Sequence, residues 1–447
     1  MGSEQNKSVS GFSRETKRFA GDEEPDPNIC ARIAALSSSG EVQAAADLLT
    51  AQIVPQQPLR RGQPHILCLS RDRFLLDLDV LRQEGSLNYP YLIKPYYDAF
   101  VNNMPSYGTT SAERRQSFYA PNQAPHVLEH KAHSLPYARA FLAALCRAIP
   151  DTRAILTANL DYWENWMLEE VRHEFGIKIL TLSREHYVSQ YLRDLKIDIL
   201  RRSGFRYRGD GVAFFGEMSV PVYTSTAALQ SEMIYITGAP RLDVWRYYKC
   251  RPEKMNTITL LAFSGRKYNA EDAFGQTLQE VVRSAASPFR RTLRYIIKCK
   301  DGTQRQAVMN ILGPEKRKNI KIQLSNLFQV LSHSRLVIGT NSLAVLEALL
   351  SDAHIVAPYW ADARQTPEQS VLDPTDELTR RCVTFAESPR ELRRLITRAA
   401  RSKPRPLSAE QRAERLALLR RYFYYPEHTT CTACVEKFLL SAIGQQN

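Results

Sequence analysis

Residues Val337–Trp360 read VIGTNSLAVLEALLSDAHIVAPYW. A short apolar run ends in Gly-Thr-Asn-Ser, an apolar helical pattern follows, and a second apolar run closes the stretch. Buried parallel strands read as short continuous apolar runs, and a strand–helix–strand alternation is the mark of a parallel sheet wound with helices. In open α/β sheets ligands sit beyond the carboxyl ends of strands. Gly339, Thr340, Asn341 and Ser342 are placed there, at the start of a helix. Gly339 permits close approach, the first N–H groups of a helix lack internal acceptors, and the Thr and Ser hydroxyls add donors. The guest such a turn suits is a phosphate or pyrophosphate. Glu347, one to two turns on, is placed to accept the hydroxyls of a ribose. A plain Ser or Asn cap on a core helix explains the turn as well, taken alone.

The same alternation runs outward in both directions. Strands are expected at Pro64–Ser70, Ala154–Ala158, Ile177–Ser183, in VAFFG, at Met233–Gly238, Thr257–Phe263, Arg294–Lys300, Arg335–Thr340 and in AHIVAPY, with amphipathic helices between them. The pattern breaks at APRLDVWRYYKCRPEKMN, then starts again. A chain of 447 residues with 44% hydrophobic content suits two domains of roughly 200 residues each. The expected organisation is a polar, disordered tail over 1–28, a Rossmann-like domain over 29–245 with an insertion at about 89–134, a second Rossmann-like domain over 246–425, and a C-terminal helix over 426–447 that crosses back to the first domain. The insertion is rich in Tyr, Pro, Asn and His and reads as long loops with short helices.

Composition narrows the classes. No run of about 18 apolar residues occurs, so no spanning helix is expected. The N-terminus has no apolar signal-peptide core, and its Gly-then-Ser spacing, which fits a myristoylation site, reads as a cloning scar or chance. The eight cysteines are scattered, which fits a reducing cytoplasm; only CTAC (Cys431, Cys434) has metal-like spacing, and it has no second pair. The histidines His126, His130 and His133 form no ligand pattern, so no metal is expected. The net charge of +13 is concentrated near the C-terminus. Solvated helix faces account for part of it, with Glu387, Glu391, Glu410 and Glu414 interleaved; anionic membrane, anionic substrates and nucleic acid are the partners that would use the rest. No nucleic-acid-binding motif is present, so nucleic acid ranks last.

Two tandem Rossmann-like domains with GTNSLAVLEALL late in the second resemble the GT-B fold of nucleotide-sugar-dependent glycosyltransferases, in which the domains face an interdomain cleft. NLDYWENWMLEEVRHEFGIKILTLSREHY (Asn159–Tyr187), ITGAPRLDVW (Ile236–Trp245) and YIIKCKDG (Tyr295–Gly302) resemble segments of bacterial surface-polysaccharide transferases, among them Kdo transferases that use CMP-Kdo. The likeness covers about residues 150–440. It implies an α/β GT-B enzyme of capsule or lipopolysaccharide assembly. A nucleotide-sugar donor would bind the second domain, and a glycan or lipid-linked acceptor the first. No cofactor beyond the co-substrate is implied, and the setting is cytoplasmic, at the inner face of the inner membrane.

Glu185 ends IKILTLS and is the candidate base for an acceptor hydroxyl, a role the resemblance also implies; a surface carboxylate paired with Arg184 or His186 is the plainer reading. The chain has Ser-Arg-Glu where the family has His-Lys-Glu. Asp243 fits a nucleophile of a double displacement, and equally a cap on the helix that follows it. Arg241 shapes the interdomain turn or meets a phosphate or sugar carboxylate. Lys298, Lys300 and Asp301, at the end of one strand, fit an anion or a solvated edge. Ser264, Gly265 and Arg266 bound the same donor site. Rivals on the same plan are a UDP-sugar epimerase, a polyol-phosphate transferase, and a non-catalytic scaffold that binds glycan or a partner protein.

Overall fold

The computed structural model describes residues 25–69, 75–105, 125–161, 163–248, 251–263, 272–286, 293–300, 302–313, 320–324, 326–340 and 342–445. Ser264, Gly265, Arg266, Asp301, Asn341, most of the N-terminal tail and the middle of the insertion lie outside them.

The described chain forms two units. The first comprises the residues up to Tyr187, Arg193–Asp243 and those from Phe423 onward. The second comprises Val188–Leu192 and Val244–Tyr422.

The first unit carries β1 (His65–Leu69), β2 (Tyr91–Leu92), β3 (Thr152–Thr157), β4 (Lys178–Ser183), β5 (Gly211–Phe214) and β6 (Ile234–Ile236). They pair in the order β2-β1-β3-β4-β5-β6, every neighbour parallel. The second unit carries β7 (Thr257–Leu261), β8 (Arg294–Lys298), β9 (Ile320–Gln323), β10 (Ser334–Ile338), β11 (His354–Pro358) and β12 (Thr384–Ala386). Their order is β12-β11-β10-β7-β8-β9, again all parallel. Numbered from the first strand of the unit, that is 6-5-4-1-2-3, the Rossmann order. The fold is thus α/β with two doubly wound units in tandem, as the alternation of apolar runs requires.

Parallel strands covered by helices on both faces must be apolar on both sides. Ile258, Leu260, Tyr295, Ile297, Ile338 and Val356 are accordingly sealed from solvent. The helix Ala273–Ala285 lays Phe274, Leu278 and Val281 on that layer. Asp272 caps it by accepting the N–H of Gly275 at 2.6 Å.

Three details differ from the sequence reading. β2, β9 and β12 span two to four residues and give no apolar run long enough to read. In the stretch expected to hold loops and short helices, Lys94–Val101 is such a short helix, but the end of the stretch belongs to a long one, Pro125–Ala148, 24 residues with Pro136 inside it. The helix after the Gly-Thr-Asn-Ser turn is only Leu343–Ala348, six residues.

The C-terminal helix Cys431–Ala442 belongs to the first unit, where it packs on the helix Leu75–Glu84 and on β5. Its Glu436 accepts the N–H of Leu87 at 3.0 Å and the hydroxyls of Ser86 and Tyr89, both at 2.8 Å. No helix among the described residues is long and apolar enough to cross a membrane.

Candidate functional site

In the second sheet the chain leaves β7 toward β8 on one side, while β10 pairs with β7 on the other. Connections diverge at that junction, the place where open α/β sheets characteristically bind ligands. Leu260 of β7 is paired with Ile338 of β10, so the two strands end side by side. Gly339 and Thr340 therefore leave β10 at the switch point itself. A Cβ at position 339 would lie 3.0 Å from Val345 Cγ2 and 3.1 Å from Leu261 Cβ. Any side chain there would force these neighbours to give by a few tenths of an ångström.

Ser342 follows in extended conformation (φ −142°, ψ 152°) and precedes the six-residue helix without capping it through its hydroxyl. The plain-cap explanation of Ser342 is therefore absent from the structure. Glu347 lies on the same helix, 9% exposed.

A second helix begins at the same junction, the one after β7, and its N-terminus is already engaged. Asp362 accepts the N–H of Ala273 at 2.7 Å, and Asp272 that of Gly275 at 2.6 Å. Two carboxylates sit where an anion would bind, and like charge excludes a phosphate there. Of the two helix starts, the one after Gly339 has no carboxylate bonded to its N–H groups among the described residues. Asp362 reaches across 89 residues of sequence, and Trp360 adds a 2.8 Å bond from its indole N–H to Gln276.

The lysines of β8 behave differently from expectation. The strand ends at Lys298, so Lys300 is not its next neighbour on one strand face. The Lys298 ammonium donates to the carbonyl of Cys299 at 2.6 Å. Lys300 is exposed, and its N–H donates to Gln304 Oε1 at 2.7 Å. Gln304, buried and unremarked in the sequence, also donates to the carbonyl of Ala262 at 3.0 Å. It ties the exit of β8 to the exit of β7.

In the first unit Glu185 stands just past β4. Arg184 continues the sheet pairing, its N–H donating to the Ala158 carbonyl at 3.1 Å. The guanidinium Nε donates to Asn159 Oδ1 at 3.0 Å. Nη2 then lies 3.5 Å from Glu185 Oε1, with the Glu185 side chain 38% exposed. The pairing with Arg184 is real, and the carboxylate still faces solvent. Beside it, Asn159 Nδ2 and Ser183 Oγ are buried without a hydrogen-bond partner. The β3–β4 register, with Thr157 opposite Thr181, sets these two residues across from each other when carried forward. His186 is not paired with Glu185; its Nδ1 meets Ser219 Oγ at 3.1 Å. Asp161, two residues past Asn159, forms a buried ion pair with Lys196.

Two expected site residues are held elsewhere. Arg241 donates from Nη1 to Asp77 Oδ2 at 2.7 Å and from its backbone N–H to Oδ1 at 3.0 Å, with Asp77 fully buried. Its guanidinium also lies over the Phe215 ring, 4.8 Å from the centroid. The fork that was to meet a donor anion is matched to a carboxylate of its own unit. Asp243 is 2% exposed. Its oxygens accept the N–H of Cys431 at 2.9 Å and both the N–H and hydroxyl of Thr432 at 2.8 Å. It does cap a helix, but the C-terminal one rather than the turn that follows it. A carboxylate so enclosed is not placed to attack a sugar. Among the described residues no three His, Cys, Asp or Glu side chains gather as metal ligands.

No protein-family model matches the chain, and no curated protein matches it. Among solved structures it is similar to an α,α-trehalose-phosphate synthase (UDP-forming) from Burkholderia vietnamiensis, at 11% identity over 86% of this chain and 99% of that one, TM-score 0.43. Os79 from O. sativa in complex with UDP is similar at 11% identity over 85% and 99%, TM-score 0.49. S. aureus MnaA with UDP is similar at 12% over 86% and 99%, TM-score 0.46. Likeness at these levels carries neither a ligand nor a reaction across to this chain.

Proposed function

We propose that this protein is a nucleotide-sugar-dependent glycosyltransferase. The observation that carries the reading is the Gly339–Ser342 turn at the β7/β10 switch point, beside a competing helix start blocked by Asp272 and Asp362. The turn's N–H groups and the hydroxyls of Thr340 and Ser342 receive the nucleotide phosphate, and Glu347 meets the ribose. The first unit receives the acceptor hydroxyl at Glu185.

The reaction is a single displacement. The acceptor oxygen forms a bond to the anomeric carbon as the bond from that carbon to the phosphate oxygen breaks. The electron pair leaves with the phosphate, where the turn stabilises it, and the acceptor proton passes to Glu185. Asp243, enclosed by the Cys431 helix, supplies no covalent intermediate. The scheme invokes no metal.

The finer reading is transfer of Kdo from CMP-Kdo to a glycan or lipid-linked acceptor in bacterial surface-polysaccharide assembly, on the cytoplasmic side of an anionic membrane. The motifs at Asn159–Tyr187, Ile236–Trp245 and Tyr295–Gly302 support it. Incubation with CMP-Kdo and with UDP-, GDP- and ADP-sugars, following nucleotide release, tests both levels. Release from CMP-Kdo, lowered at least ~100-fold in Glu185→Gln, is the expected result. Release from a UDP- or GDP-sugar instead keeps transfer and discards Kdo. No release from any donor, with or without acceptor glycans, sinks the enzyme.

A further inference from the structure

The basic C-terminal stretch sorts into two sets once partners are assigned. Arg381 bridges Glu377 and Glu414, both at 2.6 Å. Arg393 forks onto Glu280 at 2.6 and 2.8 Å. Arg412 holds Asp352 at 2.7 Å, Arg421 holds Asp376 at 2.9 Å, and Arg415 is buried against the carbonyls of Ser351 and Ala353, both at 2.9 Å. These cations serve the fold.

Arg390, Arg394, Arg398 and Arg401 do not. They lie on the helix Pro389–Arg401, all exposed, with no hydrogen bond or ion pair from their guanidinium groups to a described residue. At about 100° per residue the four fall within an arc of about 80°. Buried Leu392 and Ile396 lie on the opposite side. The stripe runs about 16 Å along the helix. Lys403 and Arg405, also exposed, extend it. From Leu392 to Ala409 the sequence contains no acid. Glu387 and Glu391 stand at the helix start, where the Glu391 carboxylate turns back to accept the Glu387 N–H at 2.8 Å.

A face that merely needs solvation alternates signs, because like charges four apart repel and opposite ones attract. Three successive like-charged neighbours, 390–394, 394–398 and 398–401, cost helix stability and gain nothing within the fold. Nor do they serve the nucleotide. Arg335, at the start of β10, reaches the carbonyls of Ala399 and Ser402, both at 3.3 Å. The basic end of the helix is thereby fixed at the amino-terminal edge of the sheet, opposite the Gly339 turn.

We infer that this arginine stripe, with Lys403 and Arg405, is a docking surface for an anionic lipid bilayer. It is a row along the exposed side of a helix, suited to a flat array of head groups. No large apolar or aromatic side chain is exposed along it for stacking on nucleic-acid bases. The choice of a bilayer over another polyanion rests on the lipid-linked acceptor proposed above; the existence of the surface does not.

Co-sedimentation of the full chain with phosphatidylcholine vesicles, with and without about 30% phosphatidylglycerol, tests it. Binding only to the anionic vesicles is expected, declining steeply with salt. Each arginine near the surface is worth about fivefold, so substituting all four to Gln weakens binding at least ~100-fold. The control removes four charges elsewhere, at Arg139, Arg147, Lys178 and Arg208 of the first unit, and leaves binding within about threefold. Equal binding of the two variants, binding to neutral vesicles, or displacement from anionic vesicles by a short DNA duplex at lower concentration than the lipid overturns the inference. A nucleotide melting shift on the same samples separates the two proposals. Vesicle binding without any shift keeps the surface and sinks the transferase, and the converse keeps the transferase alone.

Discussion

Asp243 caps the helix that begins 188 residues later, accepting the N–H of Cys431 at 2.9 Å and that of Thr432 at 2.8 Å. An aspartate that looks like a nucleophile in the sequence is the fastening of the C-terminal helix. Asp243→Asn replaces one acceptor oxygen with an N–H₂ facing N–H donors. Loss of about 2 kcal/mol in urea unfolding is expected, with donor turnover per folded molecule within about threefold of wild type. Unchanged stability with turnover abolished would restore Asp243 to the chemistry.

Arg241 gives a parallel case. Asp77 is fully buried, and Arg241 neutralises it at 2.7 Å. Arg241→Met strands that carboxylate and destabilises the protein by about 3 kcal/mol. The nucleotide dissociation constant, measured by titration calorimetry below the melting range, stays within about twofold. A tenfold weakening in a protein of normal stability would return Arg241 to the donor site.

Gly339→Ala places a methyl 3.1 Å from Leu261 Cβ, close to the backbone and with little freedom to yield. Either the exit of β10 or the Val345 and Leu261 side chains must give by a few tenths of an ångström. A stability loss of about 1–2 kcal/mol and a nucleotide affinity lowered by about tenfold are expected. If calorimetry finds affinity unchanged, the turn does not hold the phosphate.

Glu169 supplies a pH signature unrelated to catalysis. Burial raises its pKa from 4.5 to about 8, only partly offset by the Arg208 N–H and the charge of Arg172. The folded protein then keeps a proton that the unfolded chain has released. The stability this contributes is complete below about pH 4.5 and is lost as pH rises through about 8. The slope is about 1.4 kcal/mol per pH unit. Glu169→Gln, which mimics the protonated acid, removes that slope. Urea unfolding of both proteins across this window compares them, and identical slopes would refute the assignment.

What the sequence discloses follows from the range of the forces involved. β1, β3, β4, β7, β8, β10 and β11 are apolar runs whose pattern is local, and the Gly339 turn is legible because strand, glycine and helix adjoin. β2, β9 and β12 are too short to carry a pattern, and the Pro125–Ala148 helix starts inside the stretch that reads as loops. Partner choice is the part that stays hidden. Asp243 with Cys431, Arg241 with Asp77 and Asp362 with Ala273 join residues 89 to 188 apart. Only the folded chain shows which charges are already matched, and so which of Glu185, Arg241 and Asp243 still faces solvent.

The central claim is that the Gly339–Ser342 turn holds a nucleotide phosphate. Thermal melting with CMP, CDP, UDP, GDP and ADP tests it most directly, run on wild type and on Ser342→Ala. At about 100 times its dissociation constant a bound nucleotide stabilises the fold by about 2.7 kcal/mol. The account predicts that shift for one nucleotide family, CMP if the donor is Kdo-like. Because Ser342 caps no helix through its hydroxyl, the variant should melt like wild type when free and lose most of the shift. Absence of a shift with every nucleotide, or a full shift in the variant, would contradict it.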